Sequence, residues 1–178
     1  MKYLTLMRHA KSDWGDYGLD DRERPLNERG KTAAPLMGKF LVENQIQPDQ
    51  IFCSSAARTR ETLQRMVDHF DPRPDISYED ELYLASPNTM LAVAKSAAIE
   101  KDHVLLLGHN PGTEMLAIAL SNAETSAPES LSRIFKKFPT AGLAHFSFDV
   151  EDWHSIKERK GKLLLFETPK SIKSFKRH

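Results

Sequence analysis

Arg8 and His9 stand side by side just beyond the short apolar run of residues 3–7. That run predicts a strand, and it delivers a fixed cation and an imidazole to the loop past its carboxyl end, where ligands collect in open α/β sheets. The pair suits a reactive anion: arginine's planar fork matches phosphate oxygens, and a neutral imidazole keeps a lone pair for attack. Phosphate is the leading candidate. A single Arg-His dipeptide reads more readily as a surface charge beside a satisfied turn residue, but the theme recurs. A second β-prone run passes through Ser54-Ser55-Ala56-Ala57-Arg58 into a helix-forming segment. Ser54 or Ser55 is placed to cap that helix, and Arg58 falls in its first turn, where N–H groups and the helix dipole favour an anion. Arg60 points elsewhere and reads as a solvated or Glu-paired side chain. The third run, residues 103–107, is almost continuously apolar and ends in Gly108-His109-Asn110-Pro111-Gly112, so His109 lands at the end of a strand buried on both faces.

The elements that must position these loops alternate along the chain. Strands are expected at residues 3–7, 50–53 and 104–107, with an extended piece at 76–78. Helices are expected at 28–42, capped by Asn27, and at 56–69, 88–98 and 113–120. Ala33, Leu36, Met37, Phe40 and Leu41 give the first helix a buried stripe. Residues 142–149 and 162–167 read as two late strands, the first alternating so that an edge or antiparallel position is expected. Residues 121–132 read as a polar loop, and the basic tail from about residue 170 to 178 as a frayed end. At 178 residues, with no repeat and no linker, the chain is expected to form one domain over 1–178. The fold class is α/β, a three-layer α/β/α sandwich around a mostly parallel sheet.

Composition excludes little but is informative locally. Equal counts of acidic and basic residues give a formal net charge of zero, so no global basic field points to nucleic acid. A single cysteine, Cys53, rules out an internal disulfide framework and reads as a buried thiol. No run reaches membrane-spanning length, and the apolar stretch before Arg8 is too short for a signal peptide, which makes the cytoplasm the default location. Oligomeric state is not readable.

Taken together, Arg8-His9, Ser55-Ala56-Ala57-Arg58 with Glu61-Thr62, and Gly108-His109-Asn110-Pro111-Gly112 resemble the motifs of the histidine phosphatase superfamily, the phosphoglycerate mutase-like proteins, and most of all its SixA-type phosphohistidine phosphatase branch. Arg24-Pro25-Leu26-Asn27-Glu28-Arg29-Gly30 and Leu165-Phe166-Glu167-Thr168-Pro169-Lys170 extend the resemblance over nearly the whole chain. It departs at Ala10, where the family usually has glycine. The resemblance implies a phosphoglycerate mutase-like fold, transient phosphorylation of His9, and a pocket formed by Arg8, Arg58 and His109, with His109 protonated once phosphate is bound. Ser12 is a weaker phosphate-binding candidate, equally readable as a cap on the loop. Trp14 and Tyr17 either wall the pocket or cover core edges.

The chain has seven histidines, but no His-x-x-x-His, His-x-His or Cys-x-x-Cys spacing occurs, and the strand-end histidines have arginines for company. No metal or other cofactor is expected. His69, His103, His145, His154 and His178 lack phosphate-like surroundings. Substrate class turns on the general acid, because an alkoxide needs a proton to leave whereas a histidine ring departs as neutral imidazole. Glu81, in Glu79-Asp80-Glu81-Leu82-Tyr83, is the candidate acid, against the plainer reading of a solvated charge. The expected partner is a phosphohistidine-bearing signalling or phosphotransfer protein. A small-molecule phosphomonoesterase is the alternative within the family, and a phosphate- or phosphoprotein-binding module without turnover the alternative outside it.

Overall fold

The computed structural model describes residues 1–175, and within them the alternation of strands and helices resolves into three layers. The strands are β1 (Lys2–Arg8), β2 (Gln50–Ser54), β3 (Asp75–Glu79), β4 (His103–Gly108), β5 (Leu143–Phe148) and β6 (Lys162–Glu167). The helices are α1 (Glu28–Glu43), α2 (Ala57–Met66), α3 (Pro87–Lys95), α4 (Gly112–Leu120), α5 (Pro128–Lys136) and α6 (Pro169–Phe175). The strands form one six-stranded sheet in the order β3-β2-β4-β1-β5-β6. β1 to β4 are parallel, while β5 pairs antiparallel with both β1 and β6.

The period-two pattern of the strands divides the core. Leu4, Leu6, Val104, Leu106, Ala144 and Phe146 face one layer, together with residues of α3, α4 and α5. Met7, Leu105, Leu107 and Leu143 face the other, against α1, α2 and Ile172 of α6. Because β4 lies in the middle of the sheet with both faces covered, all six of its residues are buried, which explains its unbroken apolar sequence.

Asn27 caps α1 as expected, its side chain accepting the Gly30 N–H at 3.0 Å. The buried face of α1 is centred on Ala34, Met37, Gly38 and Leu41, with Ala33, Leu36 and Phe40 only partly buried, so the stripe is rotated by about one residue from the one expected. Gly30 is required by packing: a Cβ there would stand 2.2 Å from the Lys11 carbonyl oxygen. The close approach seats α1 directly on the loop that follows His9.

Three expectations are corrected. Residues 128–136 are helical, not part of a polar loop; α5 starts at Pro128, which supplies the helix's first φ angle without needing a donor, and it is held by Ile134, which is fully buried. Ile134→Ala should therefore cost about 2–5 kcal/mol. Residues 170–175 are not frayed but form α6, whose Ile172 is buried in the core; the rest of the expected tail, residues 176–178, lies outside the described residues. Neither Ser54 nor Ser55 caps α2, whose N-cap is Ala56 without a side-chain bond. Both hydroxyls are used elsewhere, as the site shows.

Candidate active site

Strand register brings the three motifs together. In the parallel pairing of β1 with β4, Arg8 stands opposite Gly108, so His9 and His109 are each one residue past the same rung of the ladder. The His9 N–H donates to the Gly108 carbonyl at 3.1 Å, and the two imidazole rings lie 5.2 Å apart, centroid to centroid. On the other side of β4, Cys53 pairs with Leu107, which sets Ser54 beside the same rim and starts α2 there. Arg58, in the first turn of α2, is buried.

His9 is 7% exposed and points one nitrogen back at its own chain: Nδ1 lies 2.7 Å from the Ala10 carbonyl oxygen. A carbonyl only accepts, so Nδ1 carries the proton and Nε2 carries the lone pair. Burial pushes His9 down to about 3, outweighing the Ala10 carbonyl, and His109, Arg58 and Arg8 lower it further. The ring is neutral at physiological pH. Ala10 is itself fixed, its N–H donating to Thr62 Oγ1 at 3.0 Å.

His109 contacts Ser54, Nε2 to Oγ, at 2.7 Å. Ser54 Oγ also receives the Ala56 N–H at 3.4 Å, and its second lone pair or its own proton completes the contact with His109 Nε2, according to the tautomer of the ring. Burial, then Arg58, brings His109 to about 3 as well, with Asp21 opposing. His109 is therefore neutral at physiological pH, and the protonated form expected with phosphate needs the anion's own field.

Two residues of the second motif act through the backbone. Glu61 Oε2 accepts the Leu26 N–H at 2.8 Å, and Thr62 takes the Ala10 N–H while donating to the Arg58 carbonyl at 2.6 Å. Helix α2 thus clamps both the loop after His9 and the chain entering α1.

Arg8 Nε and Arg58 Nε are buried donors without a protein partner, and His109 Nδ1 and the acceptor Asn110 Oδ1 are buried and unpartnered as well. Buried donors are nearly always satisfied, and leaving one unmade costs about 1–3 kcal/mol. The far edges of both guanidiniums are occupied: Arg8 Nη1 donates to the Phe138 carbonyl at 3.1 Å, and Arg58 Nη1 and Nη2 donate to the carbonyl and Oδ2 of Asp21 at 2.6 and 3.0 Å. Each arginine is held by one edge and offers the other.

Asp21 is a residue the sequence analysis missed. Its carboxylate also takes the Tyr83 hydroxyl at 2.6 Å and Arg24 Nη2 at 2.7 Å, and Tyr83 stands edge-on to His109 with centroids 5.5 Å apart. The Tyr83 hydroxyl first, then Arg24 and Arg58, hold the Asp21 carboxyl below the ordinary carboxylate range. In sequence Asp21 sits in the charge run Asp20-Asp21-Arg22-Glu23-Arg24, which looks like a solvated loop; its only signal is its place three residues before the Arg24-Pro25 motif.

The weaker candidates lie apart from this group. Ser12 is buried and its hydroxyl accepts from Arg24 Nη1 at 3.2 Å, a loop-bracing contact. Glu81 is exposed in the turn Asp80–Leu82, with no bond to Arg8, His9, Arg58 or His109. Trp14 is mostly exposed and lies under the Arg24 guanidinium, 3.5 Å from its centre, while Tyr17 is 97% exposed. Ser55 binds Asp80 at 2.5 Å, and Cys53 is a buried thiol pushed above its ordinary range by burial.

Residues 4–83 match the model of the histidine phosphatase superfamily (branch 1). The chain belongs to the histidine phosphatase superfamily. Within it, the chain is of the SixA type. It is similar to the crystal structure of SixA from Agrobacterium tumefaciens, with 31% identity, a TM-score of 0.77, and coverage of 94% of this chain and 98% of that one. SixA from Nakamurella multipartitia superposes with a TM-score of 0.81 at 26% identity, over 94% and 96% of the two chains. An uncharacterized protein of Mycobacterium tuberculosis is 34% identical over 164 residues, which is 92% of this chain and 100% of that one. As a histidine phosphatase the chain is a phosphatase hydrolase. Among the described residues no helix is long and apolar enough to cross a membrane.

Proposed function

We propose that His9 is the nucleophile of this phosphatase and that its substrate is phosphohistidine carried on a protein. The observation that carries the first part is the set of unpartnered buried nitrogens, Arg8 Nε, Arg58 Nε and His109 Nδ1, near a neutral imidazole with its tautomer fixed by the Ala10 carbonyl; His109 Nδ1 joins the two arginines as a donor once the ring is protonated. Oxygens of one phosphoryl group satisfy all three, and the same contacts stabilise the charge that spreads over those oxygens during transfer. His9 Nε2 attacks phosphorus, the bond to the leaving atom breaks, and its electron pair departs with the leaving group. Water then attacks the phosphorylated His9, phosphate is released, and the Nε2 lone pair is restored. A dianionic phosphoryl between two arginines reverses the field at His109 and supports its protonation.

The substrate class follows from the leaving group. Glu81 is exposed and apart from the reacting atoms, and Asp21 is held as an anion by Tyr83, Arg24 and Arg58, so neither carboxyl is arranged to hold a proton for an alkoxide. A phosphohistidine needs none from the enzyme, because the ring leaves as neutral imidazole once its second nitrogen carries a proton. The test is a comparison of kcat/KM for a phosphohistidine protein with that for alkyl phosphate esters. Preference for the phosphohistidine by about 10²-fold or more is expected. Efficient turnover of a sugar phosphate that collapses in Glu81→Gln would replace this reading with that of a small-molecule phosphomonoesterase.

A further inference from the structure

Beside the pocket, on the same rim of the sheet, α5 and the start of α6 enclose an open groove of about 510 Å³. The two are joined through one turn of chain. The Phe138 carbonyl accepts both Arg8 Nη1 and Asn110 Nδ2, and the next residue, Pro139, lines the groove. The pairing of Leu143 with Glu167 sets the end of β6 at this same edge.

The groove has an apolar floor, Phe166 with Pro139, and a cationic wall. Arg133, Lys136, Lys137 and Lys170 line it, against a single lining carboxylate, Glu129. Arg133 is engaged by Glu167 at 3.4 Å, but Lys136, Lys137 and Lys170 have no ion-pair partner among the described residues. Local helix electrostatics account for Lys136, at the carboxyl end of α5, and not for Lys170, which stands in the first turn of α6 where the dipole disfavours a cation. In a chain of zero formal net charge, this concentration of unpaired lysines is a local feature and not a global one.

We propose that this groove docks an acidic stretch of the polypeptide that bears the phosphohistidine. The inference rests on the phosphohistidine reading above and extends it from the reacting group to the protein around it. An acidic segment is drawn to the unpaired lysines over about one Debye length, which raises encounter and orients the phosphohistidine toward Arg8 and His9. A small phosphate ester fills the catalytic pocket without reaching the groove, so the groove favours protein substrates without altering the chemistry.

The test uses two synthetic phosphohistidine peptides of about twenty residues, long enough to extend roughly 30 Å on either side of the phosphohistidine. One has Glu on both flanks and the other Gln. The native protein is expected to have a KM about tenfold lower for the Glu peptide, a preference that fades at high salt. In the triple variants Lys136→Glu/Lys137→Glu/Lys170→Glu and Lys136→Gln/Lys137→Gln/Lys170→Gln the preference should vanish while kcat/KM for an aryl phosphate stays unchanged. The Gln set guards against misfolding by charge reversal. Equal KM for the two peptides in the native protein, or an equal loss on the aryl phosphate in both variants, would overturn the docking surface and leave the phosphohistidine reading standing. Failure to hydrolyse either peptide, with alkyl esters turned over, would remove both.

Discussion

Arg58 meets Asp21 twice, through Nη1 to the backbone carbonyl at 2.6 Å and through Nη2 to Oδ2 at 3.0 Å. The contact fixes the guanidinium plane and leaves Nε buried without a protein partner. Asp21 is in turn braced by Arg24 and the Tyr83 hydroxyl, so one carboxylate links the loop after β1, the turn that follows β3, and the first turn of α2.

If that bracing positions Arg58, Asp21→Ala should lower kcat/KM by about 10²-fold with the fold intact, as expected for a displaced catalytic group. Asp21→Asn keeps one acceptor and should lose less. Inhibition by inorganic phosphate should weaken in parallel with the rate. Unchanged phosphate inhibition in Asp21→Ala would show that Arg58 does not depend on Asp21.

Replacing the proposed pocket residues should separate chemistry from binding. His9→Ala should abolish formation of an acid-labile, base-stable phosphoenzyme in rapid-quench labelling, whereas Arg58→Ala should still form it, slowed by about 3 kcal/mol of lost transition-state stabilisation. Label retained in His9→Ala would eliminate His9 as nucleophile.

The pH dependence of kcat/KM should lack the inflection near 6.5 of an ordinary imidazole. Burial places His9 at about 3, and protonation is what removes its lone pair, so the enzyme-borne acidic limb should appear only as pH falls toward that value. Rates measured with an aryl phosphate, corrected for ionisation of the substrate, provide the check. An enzyme-borne inflection near 6.5 that persists in His109→Gln would contradict the assigned neutral, buried state of His9.

A second pair of buried histidines should govern acid stability. Thr5 Oγ1 lies 2.7 Å from His103 Nε2 and 2.9 Å from His145 Nδ1, and Tyr3 stacks on His145. Burial lowers His103 to about 4 against a Gln47 backbone bond and Asp49, and lowers His145 to about 3, aided by His103. Both folded values lie below the unfolded imidazole value of about 6.5, so the unfolded chain binds more protons between them. Their contribution to stability is complete above about pH 6.5 and is lost as pH falls from there toward 3–4. Each supplies a slope of up to about 1.4 kcal/mol per pH unit inside that window. Urea denaturation from pH 7 to pH 4 should show His145→Gln with a shallower decline than the native chain, and an identical slope would exclude His145 as a contributor.

The strands and most helices could be read along the chain because each is an amphipathic or doubly buried segment with local punctuation: Asn27 starts α1, and the continuous Val104–Leu107 run can only be a central strand. α5 escaped because it follows a polar stretch that reads as a loop, although Leu131, Ile134 and Phe135 carry an apolar i, i+3, i+4 spacing within it. Residues 170–175 escaped for a related reason, since a short basic helix is stabilised by Ile172 entering a core built elsewhere. Arg8, His9, Arg58 and His109 announced themselves by type and by position at strand ends, where the chain must turn and expose whatever it carries. What only the tertiary structure decided was pairing. The β1–β4 register sets the two imidazoles side by side, tilted by 55°, the Ala10 carbonyl chooses the His9 tautomer, and His109 takes the Ser54 hydroxyl that local rules assigned to a helix cap. Asp21 and Tyr83, 62 residues apart, meet on Arg58. Residue type and period are local properties and survive in the sequence; hydrogen-bond partners and burial depend on which distant segments the sheet brings side by side, and these the folded chain alone specifies.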